Sequence, residues 1–374
     1  MMENVSSRRR FKRILMHSCR LVLAVVFIVS GFTKVVDPWG TSIKINEYLS
    51  IYGFESLIPA SMVFSIWLCG AEMMMGCMLL FKVRIRLVSI FALASMAFFT
   101  LLTLLSATLI PVEDCGCFGE AIKLTPWETF FKNLILLPMS AVVWAYYRHD
   151  RVFNFNLREI ILTVFFFLFT MGIGLYCYRH LPLIDFLPYK VGVNILEEME
   201  DATDEVQGEV ETVLVYRNKQ SGEVREFAIE DPEWQDESKW EWVDTKVSEE
   251  PLPMHSLIEE FALRDGADDV TLQVLSTPGR LYLVCVTTFD RVGRKCSERL
   301  RLLIGRAEEE QAQVVCITPQ ALQPGQTCSF GGGIEVPCYN IDASTMKTML
   351  RAMTGVVVLE DGVIVDKRNC RDIE

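Results

Sequence analysis

Five apolar runs dominate the first half of the chain, at residues 14–32, 59–81, 87–110, 130–147 and 160–178. Each is close to the roughly 20 residues that a helix needs to cross a bilayer. Beyond Tyr178 the pattern changes. Pro182, Pro188 and Tyr189 make a stiff exit, and residues 196–209 form a strongly acidic linker. Residues 211–217 and 223–229 alternate around Ser221-Gly222 and predict a hairpin. Trp234, Trp240 and Trp242 are expected to pack on it. From residue 256 the pattern predicts a short helix at 270–275, a buried strand at 281–287, a helix at 297–306 and a second buried strand at 312–317. A helix at 342–353, capped by Asp342 or Ser344, and a hairpin of 356–359 with 363–365 complete the series. That order indicates an α/β unit with a mixed sheet.

The expected organisation therefore has four parts: a membrane bundle at 14–150, a fifth span at 158–180, an acidic linker with a hairpin at 181–255, and an α/β domain at 256–374. Charge supports the split. Residues 1–180 carry 11 acidic and 17 basic side chains, whereas residues 181–374 carry 37 and 19, within a total net charge of −12. So acidic a soluble half argues against nucleic-acid binding.

The basic residues also orient the chain. Arg8, Arg9, Arg10, Lys12 and Arg13 precede the first run, Lys82, Arg84 and Arg86 follow the second, and Arg148, Arg151 and Arg158 follow the fourth. In a five-span chain these three segments share one side, which the positive-inside rule makes cytoplasmic. The loop at 111–129 and everything after residue 179 then face outward. The first run reads as an uncleaved anchor, because no A-x-A-like cleavage site follows it. Ser7–Lys12 hints at a twin-arginine signal. Glu72 interrupts the second run, and a carboxylate at that depth costs roughly 2.5 kcal/mol or more. It either serves a function in the bundle interior or hydrogen-bonds a neighbouring helix. Met73, Met74 and Met75 beside it are expected to pack.

The outward loop holds Asp114-Cys115-Gly116-Cys117-Phe118-Gly119. A C-x-C pair can exchange disulfides, bind a soft metal, or staple a loop. The four histidines, at 17, 149, 180 and 255, all lie far from it in sequence. Dithiol–disulfide chemistry at Cys115 and Cys117 is therefore preferred to a metal, with a stapling disulfide as the structural alternative. Gly116 and Gly119 permit the tight turn. Glu113 and Asp114 oppose ionisation of the thiols, so an activating cation is expected from Lys123 or Lys34.

Gly31-Phe32-Thr33-Lys34-Val35-Val36-Asp37-Pro38, Glu72 and the Cys-Gly-Cys-Phe-Gly element, in that order and each in its own helix context, resemble the DoxX-like family, most closely its methylamine-utilisation branch, MauE. The resemblance implies a four-helix inner-membrane bundle, related in outline to vitamin K epoxide reductase-like proteins. It also implies support of disulfide formation in exported proteins, alongside a thioredoxin-like partner or an exported thiol protein. Cys115 and Cys117 would be the redox pair, with Glu72, Lys34 and Asp37 as candidates for holding a cofactor such as a membrane quinone. From the residues alone, Lys34 and Asp37 are expected to form a structural ion pair, with Pro38 ending the helix. The fifth span is an addition to the family bundle and reads as a tether.

Residues 256–370 resemble the thioredoxin-like fold in element order, without its Cys-x-x-Cys. Thr287-Thr288-Phe289-Asp290 stands where that motif would be, and the proline expected before the third strand is absent. Cys285 and Cys316 are expected as buried thiols, and Cys328 and Cys338, flanking Gly331-Gly332-Gly333, as candidates for a disulfide. The fold class expected is a membrane α-helical bundle followed by a periplasmic, thioredoxin-like α/β domain. The function expected is thiol–disulfide chemistry at the membrane. The alternative is a non-catalytic anchor whose soluble domain recruits a periplasmic partner.

Overall fold

A computed structural model describes residues 2–109, 115–150, 156–199, 212–219, 224–228, 238–247, 261–330 and 334–373. Asp114, Trp234, Ser221-Gly222 and Gly331-Gly332-Gly333 lie outside the described residues. Among the described residues, five helical segments are long and apolar enough to cross a membrane: Arg10–Val36, Glu55–Phe81, Ile85–Thr108, Pro126–Tyr147 and Leu157–Arg179. They belong to α1 (Met2–Val36), α3 (Ser61–Phe81, with a 3-10 turn before it), α4 (Ile85–Thr108), α5 (Pro126–Tyr147) and α6 (Leu157–Arg179).

The ends of these helices follow from local chemistry. Asp37 breaks α1 and caps the short α2 (Pro38–Ile51), accepting from the Gly40 amide, with Pro38 at the first turn. No apolar run announced α2, since its composition is mixed. Lys82 and Arg84 both take left-handed backbone angles, φ 55° and 44°, in the short turn from α3 to α4. Thr125 and Glu128 form a capping box at the start of α5.

Two glycines bring α1 against α3. A Cβ on Gly31 would lie 2.4 Å from the Met73 backbone nitrogen, and one on Gly76 would lie 2.6 Å from that of Ile28. Only glycine permits this approach of two backbones. The bundle core then fills with Met16, Leu23, Phe27, Leu79, Met96, Leu136 and Val143. Met73 packs in a small cluster with Val35 and Cys69, and Met74 and Met75 pack beside the main core, as expected of all three.

The C-terminal half is built on sheets. β1 (Thr212–Asn218) pairs antiparallel with β2 (Val224–Ala228) and with β3 (Trp240–Val247). Phe227 stacks edge-on to Trp240, the packing expected of that tryptophan, whereas Trp242 stays exposed. A larger sheet combines β4 (Arg264–Asp265), β5 (Asp268–Asp269), β6 (Arg280–Val286), β7 (Gln313–Thr318), β8 (Thr327–Ser329), β9 (Glu335–Asn340), β10 (Thr354–Glu360) and β11 (Val363–Asn369). Its order is β11-β10-β6-β7-β9-β4-β5, with β8 paired to β9. β6, β7 and β9 run parallel, and β10 is antiparallel to β6.

Helices α7 (Thr271–Leu275), α8 (Arg294–Glu309) and α9 (Ala343–Met349) pack on this sheet. Apolar clusters cover both faces, one around Leu283, Val315 and Val357, the other around Val284, Cys316 and Val356. Sheet burial on both faces explains why the central strands read as unbroken apolar runs. The helix expected at 342–353 stops at Met349, because Leu350 turns to extended backbone. Cys328 bonds Cys338, and Cys296 bonds Cys370. Cys285 and Cys316 are buried free thiols.

Candidate functional site

The site lies where α1, α3, α5 and the loop after α4 converge. Ser30 and Lys34 are one turn apart on α1, so they share a face. Lys34 is 6% exposed, and its Nζ lies 2.6 Å from Oε2 of Glu72, itself 7% exposed on α3. The pair satisfies two charges that an apolar bundle could not hold singly. Glu72 thus lies inside the bundle and bonds the neighbouring α1 through Ser30 and Lys34.

Asp37 does not pair with Lys34, contrary to expectation. Its Oδ1 caps α2, and its Oδ2 accepts from Arg351 Nε at 3.1 Å. The physical reason is competition. Glu72 offers Lys34 a partner inside the bundle, while Asp37 sits beyond the helix end and meets Arg351 from the sheet-containing C-terminal region.

The loop brings the two cysteines together. Gly116 and Gly119 have φ 61° and 57°, left-handed values that glycine adopts without strain. The Gly119 amide donates to the Gly116 carbonyl, and the Cys115 amide donates to the Leu124 carbonyl. The sulfurs of Cys115 and Cys117 lie 3.5 Å apart. As two thiols, either can donate to the other. Once one proton leaves, the charge settles on Cys117. The hydrogen bond from Cys115 lowers the Cys117 pKa, and Lys132 and Lys34 add to that against the opposing effect of burial. The same hydrogen bond, together with burial, raises the Cys115 pKa.

Lys132, on α5, was not singled out in sequence; its Nζ also lies 4.4 Å from the Phe118 ring centroid. Of the two cations expected, Lys123 or Lys34, Lys34 acts on Cys117, behind the larger effect of Lys132.

A cavity of about 20 Å³ opens beside Cys117. Its polar lining is Ser30, Lys34, Glu72, Lys132 and Asn133, and its apolar wall includes Phe27 and Phe99. Asn133 is 1% exposed, and its Nδ2 donor has no hydrogen-bond partner among the described residues. Ser30 Oγ lies 2.6 Å from Glu72 Oε1 and 2.6 Å from the Cys117 carbonyl oxygen. Ser30 joins the carboxylate to the cysteine loop. A small polar residue four before Lys34 was its only sequence signal.

One site residue comes from the far end of the chain. Arg351, 2% exposed, precedes β10 and reaches across to the membrane half. Its Nη2 donates to Glu120 at 3.1 Å, in the cysteine loop, while its Nε holds Asp37. Lys367 makes a different tie, to the segment after α6, donating to Asp185 at 2.5 Å and to the Tyr189 carbonyl at 2.9 Å.

The family model for methylamine utilisation protein MauE matches residues 12–147. That stretch contains α2 to α5, most of α1, and every site residue named above except Arg351 and the Lys367 contacts. Protein TlpB of Flavobacterium psychrophilum is 28% identical over 132 residues, 32% of this chain. The alignment spans 34% of TlpB, so the chain matches about a third of that relative's length. No solved structure matches. A bundle similar to MauE over residues 12–147, with five apolar spans and a sheet-containing C-terminal region, makes this a multi-pass membrane protein.

Proposed function

We propose that this protein exchanges disulfides with exported thiol proteins through Cys115 and Cys117, at the outer face of the inner membrane. The carrying observation is the 3.5 Å sulfur pair, whose Cys117 feels the charges of Lys132 and Lys34. In the oxidised form, a client thiolate attacks Cys115 Sγ, the Cys115–Cys117 bond breaks, and Cys117 leaves as the better-stabilised thiolate. A second client thiolate then attacks the client sulfur of the mixed disulfide and releases Cys115. The client loses two electrons and gains a disulfide; the pair gains both electrons.

A quinone would need an apolar wall and a donor to its carbonyl oxygen. Phe27, Phe99 and Asn133 offer these, but a cavity of about 20 Å³ admits a water and not a quinone ring. The residues as arranged do not fit the group.

The charge pattern supports a cytoplasmic N-terminus and an outward soluble half. We read the region from 256 as thioredoxin-like. The order β11-β10-β6-β7, with β6 and β7 parallel and β10 antiparallel, supports this. Its missing Cys-x-x-Cys leaves the membrane loop as the reactive centre and the domain as a holder of partners.

The experiment is trapping. Cys117→Ser leaves Cys115 as a lone thiol; running the exchange in reverse, it attacks the disulfide of an oxidised client, expels one client thiolate and forms a mixed disulfide that no Cys117 thiol can resolve. Client adducts should accumulate on that variant and disappear under reductant. Their absence, with the wild-type pair permanently oxidised by thiol alkylation in cells, would leave only a stapling disulfide.

A further inference from the structure

The second exchange asks more of Cys115 than the first asks of Cys117. In the first, Cys117 leaves with Lys132 and Lys34 nearby. In the second, Cys115 leaves beside the Cys117 thiolate, and a sulfur departs faster the lower its pKa. Its hydrogen bond with Cys117, together with burial, works the other way and raises the Cys115 pKa. A hydrogen-bond donor aimed at Cys115 would offset that.

Such a donor faces the loop from α2. A Cβ on Gly116 would lie 3.3 Å from Lys44 Cγ, so α2 lies against the cysteine turn. Tyr48 follows Lys44 by one helical turn and shares its face. Its ring stacks with Tyr52, the centroids 6.5 Å apart. The Tyr48 hydroxyl is buried and has no hydrogen-bond partner among the described residues. The same holds for the hydroxyl of Ser106, 4% exposed near the end of α4. The three groups are close enough to act on one another. Burial, and then the charge on Cys115, raise the Tyr48 pKa, against the neighbouring Ser106 hydroxyl. The phenol therefore keeps its proton at neutral pH. Tyr48 from α2 and Lys132 from α5 both favour the Cys115 thiolate, and Cys117 opposes it.

We propose that Tyr48 donates a hydrogen bond to the Cys115 sulfur as that sulfur leaves the client, with Ser106 holding the phenol in place. The inference rests on the dithiol reading above. The second client thiolate attacks the client sulfur of the mixed disulfide. A sulfur–sulfur bond forms within the client, the bond to Cys115 breaks, and its electron pair goes to Cys115 Sγ. Tyr48 bonds the new thiolate without giving up its own proton. Cys115 then takes a proton from water, and Cys117 stays a thiolate. The client has supplied two electrons and two protons; one proton ends on Cys115 and the other in solvent.

The Cys117→Ser variant of the full chain, in lipid nanodiscs, isolates this step. Oxidised glutathione loads Cys115 with one glutathione. Added reduced glutathione then attacks the glutathione sulfur and expels Cys115, and mass spectrometry times the release. Tyr48→Phe, which keeps the ring stacked with Tyr52, should slow the release severalfold. It should also leave about tenfold less Cys115 thiolate at a given pH, the effect of losing one hydrogen bond to a charged group, read from the pH profile of iodoacetamide alkylation. In a Cys115→Ser background the same change should leave the Cys117 profile in place. A release rate and a Cys115 profile unmoved by Tyr48→Phe, on protein that still traps oxidised clients, overturn the inference alone. Protein that takes up neither glutathione nor clients overturns the dithiol reading and the inference with it. Movement of both cysteine profiles assigns Tyr48 to packing and also overturns the inference. Should Tyr48→Phe fail to assemble, Ser106→Ala decides: slower release supports the inference, and an unchanged rate overturns it.

Discussion

At the scale of single residues, the site works by placing charge where an apolar bundle forbids it unpaired. Cys117 shows the effect most directly. Hydrogen bonding from Cys115 and the two nearby lysines favour its thiolate, so the thiolate survives to lower pH than a free cysteine's and is lost as pH falls through the depressed value. Alkylation of Cys117 by iodoacetamide in the reduced protein should therefore rise at lower pH than for a model thiol. Lys132→Met should move that profile back up by removing one cation; a profile that does not move would assign the depression to Cys115 and Lys34 alone. Cys285 behaves oppositely, since burial alone pushes its thiol up to about 12. It should resist alkylation at neutral pH until the domain unfolds.

At the scale of elements, two junctions set the geometry. The first is the glycine contact of α1 with α3. Gly76→Ala would place a methyl 2.6 Å from the Ile28 backbone nitrogen, and the helices must separate to admit it. Overpacking of this kind costs about 1–3 kcal/mol. It should lower the thermal midpoint in detergent, and it should loosen the Lys34–Glu72 pair that spans the same two helices. The second junction is Arg351. Its replacement by Met leaves Asp37 buried without its cation and costs about 3–5 kcal/mol, the usual effect of breaking a buried pair. Hydrogen exchange should then quicken in residues 115–120 and at the start of α2. Unchanged exchange in both would show that the C-terminal region does not hold the cysteine loop in place.

At the scale of the whole molecule, the chain folds a long return. Residues more than 300 positions apart meet at Arg351 and Asp37, and the Cys296–Cys370 bond closes a separation of 74 residues. A bond across so long a loop contributes about 2–4 kcal/mol. Replacing both cysteines by serine should lower the melting temperature of the C-terminal region without changing the redox state of Cys115 and Cys117. Orientation is testable at this scale too. In intact cells a membrane-impermeant maleimide should label Ser238→Cys, whereas Lys82→Cys should react only after permeabilisation.

Much of this protein was decided locally. Apolar run length determines the five spans, arginine and lysine placement determines their expected orientation, and unbroken apolar strands determine a sheet covered on both faces. These are properties of ten to twenty neighbouring residues in contact with lipid, water or core, so they survive without knowledge of the fold. The Cys-Gly-Cys turn was legible for the same reason, since Gly116 and Gly119 act within their own loop. Partner choice was not legible. Lys34 stood three residues from Asp37 and thirty-eight from Glu72, yet it took Glu72. Arg351 had no local mark at all. An ion pair forms according to which charges are left together away from water, and only the packing of α1 on α3, and of the C-terminal region on the cysteine loop, settled that.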